Sequence, residues 1–161
     1  MFSRRFLPGT PQLAAIKHEI WDDNNLGNAI PGAMPRAHID VRTLIPGVPL
    51  IAKAGKPLRV RTRVKNLSTR PFPNQASYGR RLVRVGAQLC AADGSLIDRD
   101  FARAWLPRPL AAGDRADVPM EIATPQQPGR YVLKFDLVSE GIDWFERCGS
   151  PTTVKSLIVR G

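Results

Sequence analysis

Leu58, Val60, Thr62 and Val64 alternate with Arg59, Arg61, Arg63 and Lys65. Side chains on an extended strand leave the backbone on opposite faces with period two, so this octet offers one face to a core and one to water. A helix would scatter the same residues around its axis. The stretch is a half-buried strand, and it excludes any fold without a sheet. The same period recurs in His38–Arg42 and over Val83, Val85, Ala87 and Leu89. It appears again over Val118, Met120 and Ile122, in Tyr131–Val138 and in Val154–Val159, while Ser95–Trp105 supplies one or two short strands.

Turn signals separate these runs: Pro46-Gly47, Asp93-Gly94, Pro107 to Pro109, Gly113-Asp114 and Pro128-Gly129. Asn66 to Gly79, with its prolines and polar residues, reads as a long loop. No helix–strand alternation suggests a parallel sheet. The pattern predicts an all-β, immunoglobulin-like antiparallel β-sandwich of seven to nine strands over residues 37–161. Residues 1–36 form a different unit, a helix and arm or leader. Thr10 caps a helix opening at Pro11, and Leu13, Ile16 and Ile20 share one face before Asp22 to Gly27 end it.

At 161 residues the chain suits one domain of ordinary size. No stretch approaches the length of apolar sequence that a membrane-spanning helix needs. Arg4-Arg5 superficially resembles an export signal, but Lys17, His18 and Glu19 interrupt the apolar residues behind it, so a cytoplasmic location is expected. Cys90, Cys148, His18 and His38 include no pair at metal-ligand spacing. No metal and no cofactor are expected, and the two thiols are read as free and buried.

Lysine and arginine number 24 against 14 acidic residues, a formal net charge of +10. Arg59, Arg61, Arg63 and Lys65 project from one face and form a ladder suited to a polyanion. In an immunoglobulin-like sheet this second strand pairs with the fifth, whose outer face carries Asp117 and Glu121, so cross-strand pairing partly neutralises the ladder. No nucleic-acid fingerprint or interleaved aromatic row accompanies the charge, and a nucleic-acid partner is not expected.

No nucleophile elbow is present, and neither histidine lies in a catalytic phrase. Asp136 with Glu140, or Glu140 with Asp143, could be imagined as a glycosidase pair. Against that, Asp136 reads as a solvent-face strand residue and Glu140 as a turn residue holding backbone N–H groups. The chain is therefore expected to have no enzymatic activity. Trp144-Phe145, flanked by Asp143, Glu146 and Arg147, has the composition of a saccharide contact: apolar rings beside carboxylates and a guanidinium. Adjacent residues point opposite ways, so one ring plugs the sandwich end and the other is a candidate contact, the alternative being that both are structural plugs at the corner. Trp105 reads as core, and Tyr131 as a corner tyrosine tied to backbone.

A series of phrases goes beyond pattern: Val64-Lys65-Asn66-Leu67-Ser68, Val83 to Leu89 ahead of Asp93-Gly94, and Arg103-Ala104-Trp105-Leu106-Pro107 with Leu110 to Asp114. It continues with Pro128-Gly129-Arg130-Tyr131 and Asp136 to Phe145 before Gly149. This series resembles an immunoglobulin-like accessory module appended to bacterial glycosyltransferases and methyltransferases of surface-polysaccharide assembly. In layout it is also similar to the glycan-recognising C-terminal domain of O-antigen ABC exporters. Where that family usually has a tryptophan in the loop after the asparagine strand, this chain has Arg70-Pro71-Phe72-Pro73. The resemblance implies a non-catalytic role, and the preferred reading is a module that binds a glycan or a glycan-assembly enzyme; the candidate contacts, chosen from the residues themselves, are Trp144, Arg147, Tyr78, Arg80 and Arg84. A protein scaffold docking through an edge strand or the N-terminal helix is the alternative, and polyanion binding through Arg59, Arg61, Arg63 and Lys65 a third reading. The oligomeric state is left open.

Overall fold

The structure, a computed structural model, describes residues 35–43, 45–74 and 82–161. The expected N-terminal helix lies outside the described residues. The described residues form nine strands in chain order: β1 (Ala37–Arg42), β2 (Leu50–Lys53), β3 (Pro57–Asn66), β4 (Val83–Ala91), β5 (Leu96–Trp105), β6 (Arg115–Ala123), β7 (Gly129–Ser139), β8 (Asp143–Trp144) and β9 (Thr153–Arg160). A single 3-10 turn, Phe145–Cys148, separates β8 from β9.

Two sheets face each other. The smaller has the order β1-β3-β6 and the larger β2-β9-β7-β4-β5, with β8 added beside β7. This is the immunoglobulin-like sandwich that the period-two runs predict. All pairings are antiparallel except β2 with β9. The exception arises where the first extended segment changes sheets: the Pro46-Gly47 turn, with Gly47 at φ 79°, carries the chain from β1 across to β2. β2 is too short to show its period in sequence, and β8 has only two residues.

Strand β3 alternates as its sequence demands. Val60, Thr62 and Val64 are buried while Arg59 and Arg61 are exposed. Its inward residues meet Val118, Met120 and Ile122 of β6 and Leu133, Phe135 and Leu137 of β7 in one apolar core. Burial of such side chains contributes about 1.5–3 kcal/mol each relative to leaving them in water.

The phrase around Asn66 is a structural corner. Its buried side-chain amide donates to Arg70 O at 2.7 Å and Leu110 O at 2.9 Å, and its carbonyl accepts from the Ser68 N–H at 2.8 Å. Phe72 follows, buried and edge-on to Phe145 with ring centroids 5.3 Å apart. That ring closes one end of the core. Tyr131 donates its hydroxyl to Gln127 O at 2.8 Å, as a corner tyrosine does.

Candidate functional site

Strand β5 lies at an edge of the larger sheet and does not run evenly. Ala87 pairs with Ala102 and Leu89 with Asp98, so Arg99, Asp100 and Phe101 all oppose Gln88. Extra residues of this kind bend a strand and re-aim its side chains. Across β4, the turn from β7 to β8 rises on the same outer face. It is closed by the Ile142 N–H donating to Ser139 O at 3.0 Å, with Gly141 at φ 78°. Between bulge and turn lies an open groove of about 370 Å³, whose walls include Arg99, Asp100, Arg103, Glu140, Asp143 and Trp144.

The indole of Trp144 lies over Gly86 of β4, and the Arg103 guanidinium stacks over the ring at 4.4 Å from its centroid. Trp144 is only 5% exposed and Phe145 is buried in the core, so both rings are structural plugs on opposite faces. Of the two alternatives, this is the corner plug for both, and it corrects the reading of Trp144 as an exposed contact. Trp105 corrects the opposite expectation: it is 52% exposed, because Ala104 and Ala102 take the inward positions of β5. The Arg84 guanidinium stacks on its ring at 4.3 Å.

Glu140 ties the two arginine–tryptophan pairs together. Its Oε1 lies 3.3 Å from Arg103 Nε and 3.5 Å from Arg84 Nη1, and Arg103 Nη2 reaches Asp100 Oδ1 at 2.5 Å. Glu140 is thus an ion-pair hub rather than a holder of turn N–H groups. Asp143 is different. Its side chain is 7% exposed; Oδ1 accepts the Trp144 N–H at 2.8 Å with Arg147 Nε 3.9 Å away, while Oδ2 is buried with no hydrogen-bond partner. Burial pushes this carboxyl above its usual range, against the opposing pull of the Trp144 N–H, Arg147 and Arg99.

Asp136 is buried, not on a solvent face, because the 3-10 turn folds over it. Its oxygens accept the Leu137 N–H at 2.8 Å and the Glu146 N–H at 2.9 Å, and burial raises its pKa to about 8. Both oxygens are engaged with backbone, and no carboxylate pair faces a cleft through it. Beside it Lys134 and Glu146 form an ion pair, with Gln88 Nε2 donating to the Glu146 carboxylate at 3.2 Å.

Among the sequence-predicted contacts, Trp144 lines the groove, Arg147 stands behind Asp143, and Arg84 joins the Glu140 hub. Tyr78 and Arg80 lie outside the described residues. The basic ladder is interrupted: Arg63 Nε lies 2.8 Å from Asp117 and Arg59 Nε 3.5 Å from Glu121, while Arg61 and Lys65 oppose Pro119 and Arg115. Sequence reasoning missed Arg99, Asp100, Arg103 and Trp105. A signal existed, since Asp98-Arg99-Asp100 places three successive charges inside a strand and breaks its period.

Among the described residues, no group of three or more histidine, cysteine or acidic side chains gathers to hold a metal ion. None of their helices is long and apolar enough to cross a membrane.

No protein-family model matches the sequence, and no curated protein matches it. Solved structures with a similar chain path include the CARDB domain of the PF1109 protein from Pyrococcus furiosus, in complex with di-metal ions (15% identity, 78% of this chain and 93% of that one, TM-score 0.44). A second is β-glucosidase from Listeria innocua (18% identity, 79% of this chain but 16% of that one, TM-score 0.46). A third is the alkylpurine DNA glycosylase AlkC from Pseudomonas fluorescens, bound to DNA containing an abasic site analog (14% identity, 81% and 32%, TM-score 0.45). Likenesses this distant carry no argument about activity, and this chain is similar to them only in the path of its sandwich.

Proposed function

We propose that the chain is a non-catalytic recognition module that binds a saccharide in the groove between the β5 bulge and the β7–β8 turn. The observation that carries this reading is the groove itself, walled by Trp144, Arg103, Glu140 and Asp143, with Arg84 and the half-exposed Trp105 stacked on it joined to that wall through Glu140. Sugar rings present C–H faces to an indole and hydroxyls to carboxylates and guanidinium groups. The sequence resemblance to accessory modules of surface-polysaccharide assembly supports the same ligand class and a glycan-assembly enzyme as partner. Trp144 and Arg147 shape the wall, Arg84 positions Trp105, and Tyr78 and Arg80 are proposed contacts on sequence grounds.

The test is a glycan array with the full chain, followed by titration of intrinsic fluorescence with the responding oligosaccharides. Saturable binding is expected, weakened about tenfold by Trp105→Ala and unchanged by Arg61→Glu. Absence of saturable binding to any saccharide overturns the reading.

A second reading has its own support. Leu96, Ile97 and Trp105 are exposed along the edge strand β5, a surface on which a partner protein could add a strand. Polyanion binding has less, since Arg59 and Arg63 already face carboxylates.

A further inference from the structure

The walls of the groove carry charges of both signs, and most of them are already matched. Asp100 takes Arg103 Nη2 at 2.5 Å. Glu140 takes Arg103 Nε at 3.3 Å and the neighbouring Arg84 Nη1 at 3.5 Å. Asp143 accepts the Trp144 N–H at 2.8 Å with Arg147 Nε 3.9 Å away, and its side chain is only 7% exposed. Asp98, beside them on β5, turns its Oδ1 to the Asp100 N–H at 2.9 Å.

Arg99 is the exception. It lines the same groove, half-buried, yet among the described residues no ion pair or side-chain hydrogen bond holds its guanidinium. Its field reaches Asp143, but that carboxyl is nearly sealed from solvent and leans on Arg147. The three carboxylates of the groove are thus met by Arg84, Arg103 and Arg147, and Arg99 is the fourth cation. The bulge in β5 sets it there, since Arg99 belongs to the extra residues opposite Gln88 that re-aim the strand's side chains. A guanidinium presents its donors in a planar fork that matches a carboxylate. On a concave, partly desolvated wall such a pair is stronger than in open water. A ligand carboxylate entering the groove finds this cation without displacing any existing pair.

We infer that the groove selects acidic saccharides over neutral ones, with Arg99 holding the ligand's carboxylate as the specificity-determining residue. The inference rests on the saccharide reading above and narrows it to uronates. Recognition is by charge-assisted hydrogen bonds alone, and no bond of the sugar is broken.

The experiment titrates the intrinsic fluorescence of the full chain, at fixed ionic strength, with oligosaccharide pairs of matched linkage that differ only at C6: galactotetraose with tetragalacturonate, mannotetraose with tetramannuronate, and cellotetraose with tetraglucuronate. In the pair that binds, the uronate is expected to bind about tenfold or more tightly than its neutral partner. Arg99→Gln should remove that preference. Arg61→Gln, which takes the same charge from the outer face of the other sheet, should leave it in place. Equal or tighter binding of the neutral member by the unmodified chain overturns the inference and leaves the saccharide reading standing. A preference that survives in a folded Arg99→Gln protein, judged by its circular dichroism, overturns the role of Arg99. A preference lost equally in Arg61→Gln assigns it to the net charge of the chain and overturns the inference too. If Arg99→Gln does not fold, Arg99→Lys takes its place; it keeps the charge without the planar fork and should give up most of the preference. If none of the six sugars binds, the inference falls, and the glycan array decides whether the saccharide reading falls with it.

Discussion

The indole of Trp144 occupies the space that a side chain at position 86 would fill: a Cβ built on Gly86 would lie 2.5 Å from two of its ring carbons. Gly86 sits inside β4 between buried neighbours, where glycine otherwise weakens a strand. Its presence is explained by close approach: Trp144 reaches across β7 to set its ring against position 86, and Arg103 stacks on the ring with Nη1 3.2 Å from the same point. Gly86→Ala is therefore expected to destabilise the fold by about 1–3 kcal/mol through overpacking. In a Trp144→Ala background the clash disappears and the same substitution should cost almost nothing. Urea unfolding of the two single variants and the double variant measures the coupling. Additive effects would show that the ring does not rest on Gly86.

Asp136 carries the clearest pH signature. Its carboxyl titrates at about 8 in the folded chain against 3.8 for the unperturbed group, because burial opposes its charge more than two backbone N–H donors favour it. A folded pKa above the unfolded one means that the native state binds the extra proton. Stability from this group is fully present below pH about 4 and declines as pH rises towards 8. The surface carboxylates Asp114 and Asp117 act in the opposite sense. Pairing with Arg108 and Arg63 holds them below the usual range, and the stability they add is lost as pH falls below about 3.8. The midpoint of urea unfolding should therefore fall between pH 5 and 9, and Asp136→Asn should flatten that slope. A midpoint that rises over this interval in the unmodified chain contradicts the burial argument.

How far the sequence could be read depended on whether burial was decided locally. Leu58–Lys65 alternates and lies half in the core, so its strand and both of its faces were legible, as was the partial neutralisation of its cations by Asp117 and Glu121 across the sheet. Asp136 alternates just as clearly, and its parity does put it on the outer face of β7. What hides it is the 3-10 turn ten residues further on, which no local period reveals. Trp105 was misread for a simpler reason. Its apolar neighbours Ala104 and Leu106 suggest a core, yet it shares the parity of Arg103 and follows it to the outside. The groove depends on the β5 bulge and the β7–β8 turn meeting across β4. Only the run Asp98-Arg99-Asp100 hinted at one of its walls.

The chain's two cysteines, Cys90 and Cys148, are both buried and not disulfide-linked. Burial also pushes the Cys90 thiol up, further from the reactive thiolate. A thiol reagent such as Ellman's should find neither in the native chain and both after denaturation. Rapid native labelling of Cys90 would mean that the β4 and β7 ladder opens far more readily than its buried position implies.

The reversed exposure of Trp105 and Trp144 can be read directly, and it bears on the groove. Trp21 lies outside the described residues, so a Trp21→Phe background isolates the other two. Trp144, 5% exposed and capped by Arg103, should emit at short wavelength and resist acrylamide; Trp105, 52% exposed, should emit at longer wavelength and be quenched. Replacing Trp105 with Phe should remove the quenchable component, whereas Trp144→Phe should leave it. Glu140 links the two environments, since its carboxylate faces both Arg84 and Arg103. Glu140→Ala frees Arg84 and leaves Arg103 to Asp100 alone, and an anionic quencher such as iodide should then reach Trp105 more effectively while acrylamide quenching changes little. If iodide and acrylamide respond alike, Glu140 does not control the charge at this surface, and the arginines there are not neutralised as the geometry requires.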